Sequence, residues 1–599
     1  MTKLSDYVVD FIQQQGVKDI FLLPGGGCIH LVDSIGKSDL NYVCNLHEQA
    51  CSVAADAYGQ YTNNLGVCLV TTGPGGTNAL TGVAAGWLDS TPMLIISGQV
   101  QKKDMINGRG TRQIGFQELD MPALVAPITK YAVSVTDPEE IKYHLEKAIF
   151  LAQDGRSGPV WIDIPLDVQA ASIDVNKLKS FKPDAPAWTK VPKTTLKESV
   201  SQFINDLNKA NRPIILAGNG VRLSKSIDKF KEMCDYLHIP VLLTWKAIDF
   251  LEEDHPLFVG RPGGVGQRGA NFSQQNSDLF LSLGARLDHG QTAYQHKYFA
   301  RGAIKAIVDI DENEIKKLDM DIKYPLAFDC GEFIDELLRQ KNKININSLN
   351  WLSQCKQWQA KYPVVTEEHF DSDEYIDNYA FIEMLAYLLP EDALIIPGSS
   401  GGCSEVTMQA FKIKKGQRMF NSEGLGPMGF GIPAAIGGCI AAGKKPTVCI
   451  DGDGGFIMNI QELEVVKRLN LPIKFFVLNN NGYVSIRNTQ ESHFNKHFVA
   501  SGKSSGLTLP SLEKNAYAYD IPFTRFEQVD DLWDIGDVLG QEGPMICEVM
   551  LPETHVTAPK ASVYKTDDGQ FMARPMEDLA PFLDRDEFKE NMIIDPVND

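Results

Sequence analysis

Two polar side chains stand at positions where one sheet edge could bring them together. In VCIDGDGGFIMNIQELEVVKRLNLPIKFFVLNNNG a strand-like run ends at Asp453, a helical run covers about Met458 to Leu469, and a second strand-like run ends at Asn480. A right-handed strand–helix–strand connection places both strand ends at one carboxyl edge of a parallel sheet. A carboxylate and an amide oxygen suit Mg²⁺, which is usually held by few protein oxygens beside phosphates and water. The segment therefore predicts a metal site.

Two glycines follow the acid of this segment. Gly454 and Gly455 open the helical run, where the lack of side chains would let a diphosphate approach the helix N-terminus and its positive dipole end. The alternative is a glycine turn and an Asn-rich turn that are unrelated. The spacing of GDG and NN resembles the motif shared by thiamine-diphosphate-dependent enzymes. That resemblance implies thiamine diphosphate and Mg²⁺, the metal being held by Asp453, Asn480 and the main-chain carbonyl of Gly482.

A single acid stands out near the N-terminus. NLHEQACSVAADAYG places Glu48 between a buried strand and an Ala-rich helix. In isolation it could simply complement the helix dipole. In the family, a partly buried carboxyl group at such a turn exchanges a proton with the coenzyme's aminopyrimidine ring, and burial raises a carboxyl pKa toward neutrality. The resemblance gives Glu48 this catalytic role. Because the family takes this acid and the metal site from different subunits, it also implies at least a homodimer, with a homotetramer possible.

The resemblance extends to the acetolactate synthase branch. LPGGGCIHLVDSI, TTGPGGTNALTG, GFQE and EGLGPMGFGIPAAIG carry it through the chain. It implies that Met428 holds the coenzyme bent, that the Gly426 carbonyl accepts from its amino group, and that Phe116 and Gln117 line the reaction space as further catalytic residues. The other implied coenzyme contacts are Gly25, Thr72, Asn78, Gly401, Gly402, Cys403, Gly454, Gly455, Tyr483 and Val484.

Two departures concern the acceptor substrate. Acetolactate synthases carry an arginine that grips the acceptor carboxylate, where this chain has Gly290, and a tryptophan after the NN motif, where it has Thr489. Losing that bidentate anchor disfavours a keto-acid acceptor. The stretches GARLD, GYVSIRNTQ and ARPMEDLAPFLDRDEF are more similar to a sister group, which includes cyclohexane-1,2-dione hydrolase and flavin-containing enzymes that add an acetyl unit to keto-sugar nucleotides. Arg109 and Arg112 are candidates for an anionic acceptor, or they form a solvated basic loop.

The middle of the chain carries glycines and acids at predicted strand ends. Backbone N–H groups there can hold a pyrophosphate and an acid can hold a ribose. The positions resemble the flavin site of acetolactate synthases, which implies FAD in a structural role; a domain that binds ADP or nothing is the alternative. The implied FAD contacts are Arg156, Gly218, Gly220, Arg286, Asp288, Asp309 and Ile310.

Alternating strand-like and helical runs predict an α/β fold with three doubly wound parallel-sheet domains. Their expected ranges are 1–175 (pyrimidine-binding), 194–340 (central) and 375–558 (diphosphate-binding), followed by a C-terminal tail over 559–599. KLKSFKPDAPAWTKVPK reads as a linker.

Composition narrows the partners and the compartment. The formal net charge of −20, with no basic stripe, disfavours nucleic acid and anionic lipid. No apolar run reaches membrane-spanning length. The eleven cysteines form no CxxC pair, and no signal-peptide pattern opens the chain, so we expect a cytoplasmic protein.

These features together predict a carboligase or lyase that takes an acyl unit from a 2-keto acid such as pyruvate and transfers it to a carbonyl acceptor. The loop RGTRQIGFQE lacks the His-His pair of simple pyruvate decarboxylases, which favours ligation over protonation. Two alternatives remain: hydrolysis or decarboxylation of a dione or keto acid, and a catalytically silent cofactor-binding subunit.

Overall fold

Three parallel β-sheets form the framework of the chain. The computed structural model describes residues 1–183, 193–372, 374–399, 401–565 and 571–597, so most of the predicted linker lies outside the described residues. Each sheet belongs to one α/β domain, which confirms the predicted fold class.

The first domain holds a six-stranded sheet. The strands Gly66–Val70 and Met93–Gln99 at its centre are rich in apolar residues and fully buried, as expected for strands covered by helices on both faces. In sheet order the strands are Asn41–Cys44, Asp19–Leu22, Gly66–Val70, Met93–Gln99, Pro159–Pro165 and Tyr131–Ser134. The helices are Leu4–Gln14, Ile29–Gly36, Glu48–Thr62, Pro74–Asn78, Leu80–Asp89, Met121–Val125, Ile141–Gln153 and Leu166–Gln169. Thr2–Lys3 pairs antiparallel with Ser172–Ile173.

The central domain has a five-stranded parallel sheet with its own apolar core. In sheet order the strands are Val241–Leu243, Pro213–Ala217, Leu279–Leu283, Ile304–Val308 and Tyr324–Leu326. The helices are Lys193–Leu207, Gly220–Leu223, Ile227–Leu237, Arg268–Gln275, Glu312–Lys316, Cys330–Arg339 and Leu349–Lys361.

The third domain repeats the strand order of the first. In sheet order its strands are Arg418–Met419, Leu394–Pro397, Thr447–Gly452, Ile473–Asn479, Met545–Met550 and Phe523–Phe526. The helices are Asn378–Leu388, Gly402–Ala410, Gly431–Ala441, Asp453–Ile457, Leu463–Arg468, Val484–His493, Leu512–Ala518 and Ile535–Gly540. Gly452 pairs with Leu478 in a parallel register, so the residues that follow both strands emerge at one sheet edge, as the sequence predicted.

The helix predicted from Met458 to Leu469 is interrupted. Helix Asp453–Ile457 ends early, and Leu463–Arg468 begins only after a 3-10 turn. The break lies at Asn459, whose side-chain nitrogen donates to the Gly429 carbonyl at 2.6 Å. A side chain that bonds a neighbouring loop competes with continuation of the helix at this point.

The first and third domains share one apolar core. Helix Glu48–Thr62 packs against Gly431–Ala441, and a Cβ added at Gly437 would lie 2.1 Å from the Ala54 carbonyl oxygen. The glycine is therefore required for this close approach of the two helices.

The C-terminal tail packs on the central domain. Val563–Lys565 pairs antiparallel with Phe571–Ala573, and the helix Arg585–Glu590 follows. Arg268 donates to the carbonyls of Leu579 and Pro581 at 3.1 and 2.7 Å, which ties the tail to the domain. The ten cysteines other than Cys403 form no disulfide bond, and nine of these ten are buried. Within the described ranges, no helix combines the length and apolarity that crossing a membrane requires.

Candidate active site

A cavity of about 350 Å³ opens at the carboxyl edge of the third sheet. Its wall contains every residue of this domain that the sequence predicts to contact coenzyme or metal. These residues are Gly401, Gly402, Cys403, Gly426, Met428, Asp453, Gly454, Gly455, Asn480, Gly482, Tyr483 and Val484. The cavity is thus built from three glycine-rich turns and the segment after the fourth strand of the domain.

The three predicted metal ligands lie together. Asp453 accepts from the N–H of Gly454 at 2.8 Å and from the N–H of Gly482 at 3.0 Å, which joins the two motifs directly. Gly482 has φ +135°, and a Cβ there would lie 2.6 Å from the Ser501 carbonyl oxygen, so only glycine fits. Burial raises the pKa of Asp453 to about 6, although the N–H bonds favour its charged form. A divalent cation would favour that charged form further.

Arg487, which no sequence motif identified, holds the loop 480–482 in place. Two of the three predicted metal ligands lie on this loop, and we call it the metal loop. Arg487 donates to the carbonyls of Asn480 at 2.6 Å, Asn481 at 3.1 Å, Ser501 at 3.0 Å and Glu553 at 2.7 Å. One planar guanidinium therefore joins three chain segments around the predicted ligands. Its position in Val484–His493, close after the NN motif, was the available sequence signal.

The cavity wall also contains polar atoms without a partner. Asn378 Oδ1, Asp451 Oδ2 and His555 Nε2 are buried and accept or donate no hydrogen bond. Burial raises the pKa of Asp451 to about 7, and the negative charge of Asp453 adds to this shift. None of these three was predicted. Buried polar atoms are normally paired, so unpaired ones on three residues that line one cavity indicate that a polar ligand belongs there.

A second group of predicted residues meets at the carboxyl edge of the first sheet. The Glu48 side chain is 8% exposed and accepts from the Asn78 amide at 2.9 Å. Gln117 has φ +66°, and its carbonyl would lie 2.1 Å from a Cβ at Gly73, so this loop packs closely on the turn that precedes Asn78. Phe116 is 85% exposed.

The remaining predicted residues of this edge surround the same turn. A Cβ at Gly25 would meet the Thr71 side chain at 2.5 Å, and Thr72 follows directly in the chain. Among the described residues, none from the first domain lines the 350 Å³ cavity of the same chain. Glu48 and Asp453 are therefore not brought together in the wall of one chain's cavity.

A buried acid organises the loop that carries the two candidate arginines. The Glu118 carboxylate accepts from the N–H groups of Ile106, Ile114 and Gly115, the last two at 3.0 and 3.2 Å. It therefore closes the loop on itself. Arg109 and Arg112 lie exposed on that loop beside Phe116.

The third domain also fixes the segment before Glu48. Glu462, which is fully buried, accepts from the Asn45 amide and from the Leu46 N–H, both at 2.9 Å. Its burial raises the pKa of this carboxyl, which the hydrogen bonds from Asn45 and Leu46 oppose. The third domain thus positions the turn that carries Glu48.

The predicted flavin residues meet at a separate cavity of about 130 Å³. Six of the seven line it: Arg156, Gly220, Arg286, Asp288, Asp309 and Ile310. Arg156 comes from the first domain and the other five from the central domain, while Glu423 adds a wall residue from the third domain. Gly218 does not line it, because it packs beneath the strand ends, where a Cβ would lie 2.5 Å from Ala285 Cα.

Several charged side chains line this central cavity. Arg156 pairs with Asp311 at 3.1 Å and Glu314 at 2.6 Å, and Arg286 pairs with Asp288 at 2.9 Å. Burial raises the pKa of Asp309 to about 6. Burial also raises the pKa of Glu423 to about 7, with further shifts from Asp288 and Asp89.

Comparison with known proteins identifies the three domains. Residues 2–124 match "Thiamine pyrophosphate enzyme, N-terminal TPP binding domain", residues 200–337 match its central domain, and residues 400–549 match its C-terminal TPP binding domain. Thiamine pyrophosphate is a synonym of thiamine diphosphate.

Three relatives cover nearly the whole chain. The acetolactate synthase large subunit of Lactococcus lactis is 30% identical over 562 residues, covering 93% of this chain and 94% of the relative. The probable acetolactate synthase large subunit of Methanocaldococcus jannaschii is 32% identical, covering 88% of each. The isozyme 2 large subunit of Escherichia coli is 30% identical, covering 92% and 95%. The chain therefore belongs to the thiamine diphosphate-dependent enzyme family, in the branch of the acetolactate synthase large subunits.

Proposed function

We propose that this protein is a carboligase that uses thiamine diphosphate and Mg²⁺ to transfer an acyl unit from a 2-keto acid, such as pyruvate, to a carbonyl acceptor. The observation that carries the proposal is the 350 Å³ cavity, where all twelve predicted third-domain residues meet. The names of the relatives support the same reaction class.

The residues of the cavity fit the coenzyme. Asp453, the Asn480 amide oxygen and the Gly482 carbonyl would hold Mg²⁺, a set of hard oxygen ligands with room for phosphate oxygens. The glycine turn at 401–402 and Gly454 would admit the diphosphate, while Met428 would support its organic part. When bound, the coenzyme would stabilise negative charge on the carbonyl carbon of the substrate, which makes that carbon a nucleophile.

We propose that each site is shared between two subunits of a homodimer. The 350 Å³ cavity has no wall residue from its own chain's first domain among the described residues, so Glu48 would come from the partner subunit. There its carboxyl group would hold a proton at the aminopyrimidine ring nitrogen, with Asn78 fixing its second oxygen. A tetramer would be a pair of such dimers.

The acceptor is the less constrained half of the reaction. We propose a relationship to the sister group with cyclohexane-1,2-dione hydrolase and the flavin-containing acetyl-adding enzymes. Gly290 offers no guanidinium for a keto-acid carboxylate, which supports an acceptor other than a second keto acid. Arg109 and Arg112, exposed beside Phe116, would recognise an anionic group on it.

We also propose that the central cavity holds FAD in a structural role. Its position between three domains supports this, as do Arg156 and Arg286, which could exchange carboxylate partners for pyrophosphate oxygens. Flavin absorbance of protein purified without added cofactor tests it. Absence of flavin, with retained adenosine diphosphate or nothing, would contradict it.

A reducing cytoplasm remains our prediction for the location of the protein in the cell.

Product analysis tests the main proposal. With thiamine diphosphate, Mg²⁺ and pyruvate alone, we expect slow formation of acetolactate or acetoin. Chromatography and circular dichroism would detect these products. A screen of aldehyde, ketone and keto-sugar acceptors should then find a faster reaction. Acetaldehyde as the sole product would overturn the ligase assignment, and hydrolysis of a 1,2-dione in preference to ligation would support the hydrolase alternative.

A further inference from the structure

A segment from the end of the third domain closes one side of the 350 Å³ cavity. Leu551 and His555 line the cavity, although they follow the last strand of the sheet. Four hydrogen bonds hold the segment 551–559 in place. Arg487 donates to the Glu553 carbonyl at 2.7 Å, Asn488 to the His555 carbonyl at 2.5 Å, Thr557 to the Glu405 carboxylate at 2.9 Å, and the Ala558 N–H to the Tyr379 hydroxyl at 2.9 Å.

The position of the His555 ring is also fixed by contacts with its neighbours. It packs on Tyr379, with ring centroids 5.7 Å apart, and its Cδ2 would lie 4.0 Å from a Cβ at Gly402. The ring edge with Cδ2 and Nε2 therefore faces the glycine turn at the start of Gly402–Ala410. Nε2 itself is buried and has no hydrogen-bond partner.

The other unpartnered atoms of this cavity are oxygens. Asn378 Oδ1 and Asp451 Oδ2 can only accept, unless the acid is protonated, whereas a ring nitrogen can donate. Burial lowers the pKa of His555, opposed by Asp377 and aided by His369 and Lys560, so the ring is neutral near pH 7. A neutral imidazole still carries one N–H, which can be on Nε2.

We propose that His555 is a coenzyme-binding residue, whose Nε2–H donates to a diphosphate oxygen in this cavity. The inference rests on the proposed function and deepens it, because it adds a side-chain donor beside the glycine turn at 401–402. A diphosphate oxygen would satisfy the one side-chain nitrogen in the described lining of this cavity that is buried without a partner, and such a bond to a charged acceptor is among the stronger ones.

Three variants separate the donor from the shape of the ring. His555→Phe keeps an aromatic ring against Tyr379 but removes the donor. His555→Gln restores an N–H at a similar reach. His497→Gln changes an exposed histidine of the same domain and serves as the matched control. Titration calorimetry at fixed Mg²⁺ would measure the binding of thiamine diphosphate and, separately, of inorganic pyrophosphate, which lacks the organic part of the coenzyme.

We expect His555→Phe to weaken both ligands by about tenfold or more, the range for a hydrogen bond to a charged group. His555→Gln should bind both within about threefold of wild type, since it retains a donor. His497→Gln should bind both ligands like wild type and should keep the wild-type kcat. The melting temperature without ligand verifies that each variant is folded.

The outcomes distinguish this inference from the proposed function. Unchanged binding of both ligands by His555→Phe would overturn the role of His555 and leave the coenzyme assignment standing. Weakened binding of the coenzyme but not of pyrophosphate would also overturn it, because the contact would then not be to the diphosphate. Failure of the wild-type protein to bind either ligand with Mg²⁺ would overturn both.

Discussion

Replacing Arg487 by lysine should weaken Mg²⁺ binding without changing the chemistry. The guanidinium joins the carbonyls of Asn480, Asn481, Ser501 and Glu553, and the first two belong to the metal loop. A lysine ammonium is a point donor that cannot span all four acceptors. Loss of two or three hydrogen bonds, each about 1.5 kcal/mol at this partly exposed position, removes about 3–4.5 kcal/mol that restrains the loop.

Only part of this lost free energy weakens Mg²⁺ binding, because the loop also packs on its neighbours. Residues that support metal ligands typically change metal affinity by about 10–100-fold when substituted, or about 1.4–2.7 kcal/mol. We therefore expect the Mg²⁺ dissociation constant at saturating thiamine diphosphate to rise by about 10–100-fold, while kcat at saturating Mg²⁺ stays within about threefold.

Calorimetric Mg²⁺ titration measures the first quantity and steady-state kinetics the second. Arg339→Lys is the control, since Arg339 is a largely exposed arginine of the central domain that pairs with Glu336. Unchanged Mg²⁺ affinity in the Arg487→Lys protein would refute the reasoning. A large loss of kcat at saturating metal would refute it too, because Arg487 would then act on the reaction rather than on the metal loop.

Three further predictions follow from individual side chains. Glu48→Gln should reduce turnover by about 100-fold or more, measured as product formation, because an amide cannot exchange the proton, while coenzyme binding persists; full turnover would instead favour a catalytically silent subunit. Burial raises the pKa of Asp56 to about 7, with Asp89 adding to the shift, so its contribution to stability is present at acid pH and is lost as the pH rises from about 4 to 7. Asp56→Asn has no carboxyl group to ionise and does not lose this stability. The melting temperature of the variant minus that of wild type should therefore increase from about pH 4 to 7, and a difference that stays constant would contradict the assigned pKa. Glu118→Gln places a side-chain amide group, which is itself a donor, against backbone N–H donors. Hydrogen exchange of the backbone amides at 106–115 should therefore accelerate, and the KM for the acceptor should rise while the affinity for the coenzyme stays unchanged. Amides that remain protected in the variant would contradict the role of Glu118.

The sequence was sufficient to predict the fold class and the third-domain part of the cavity. Asp453 and Asn480 are informative because parallel pairing brings consecutive strand ends to one edge, whatever the details of the helix between them. The interruption at Asn459 could not be predicted, since it depends on a hydrogen bond to Gly429 in another loop.

Residues outside those motifs required the structure. His555 and Asn378 enter the cavity from segments distant in the chain, and PETHVTAP has no spacing that indicates a site. Arg487 was similarly unassigned, because its role depends on four carbonyls from three segments. The resemblance implied the flavin positions, six of which meet at one cavity, whereas Gly218 supports the strand ends instead.

The central claim is that Glu48 of one subunit acts with Asp453 of its partner. Mixing inactive Glu48→Gln and Asp453→Asn proteins, with dissociation and random reassociation, tests it most directly. A hybrid dimer would carry one doubly substituted site and one intact site, so about a quarter of wild-type activity should return. If both residues acted within one chain, every site would retain one substitution, and activity no higher than that of the separate variants would contradict the claim.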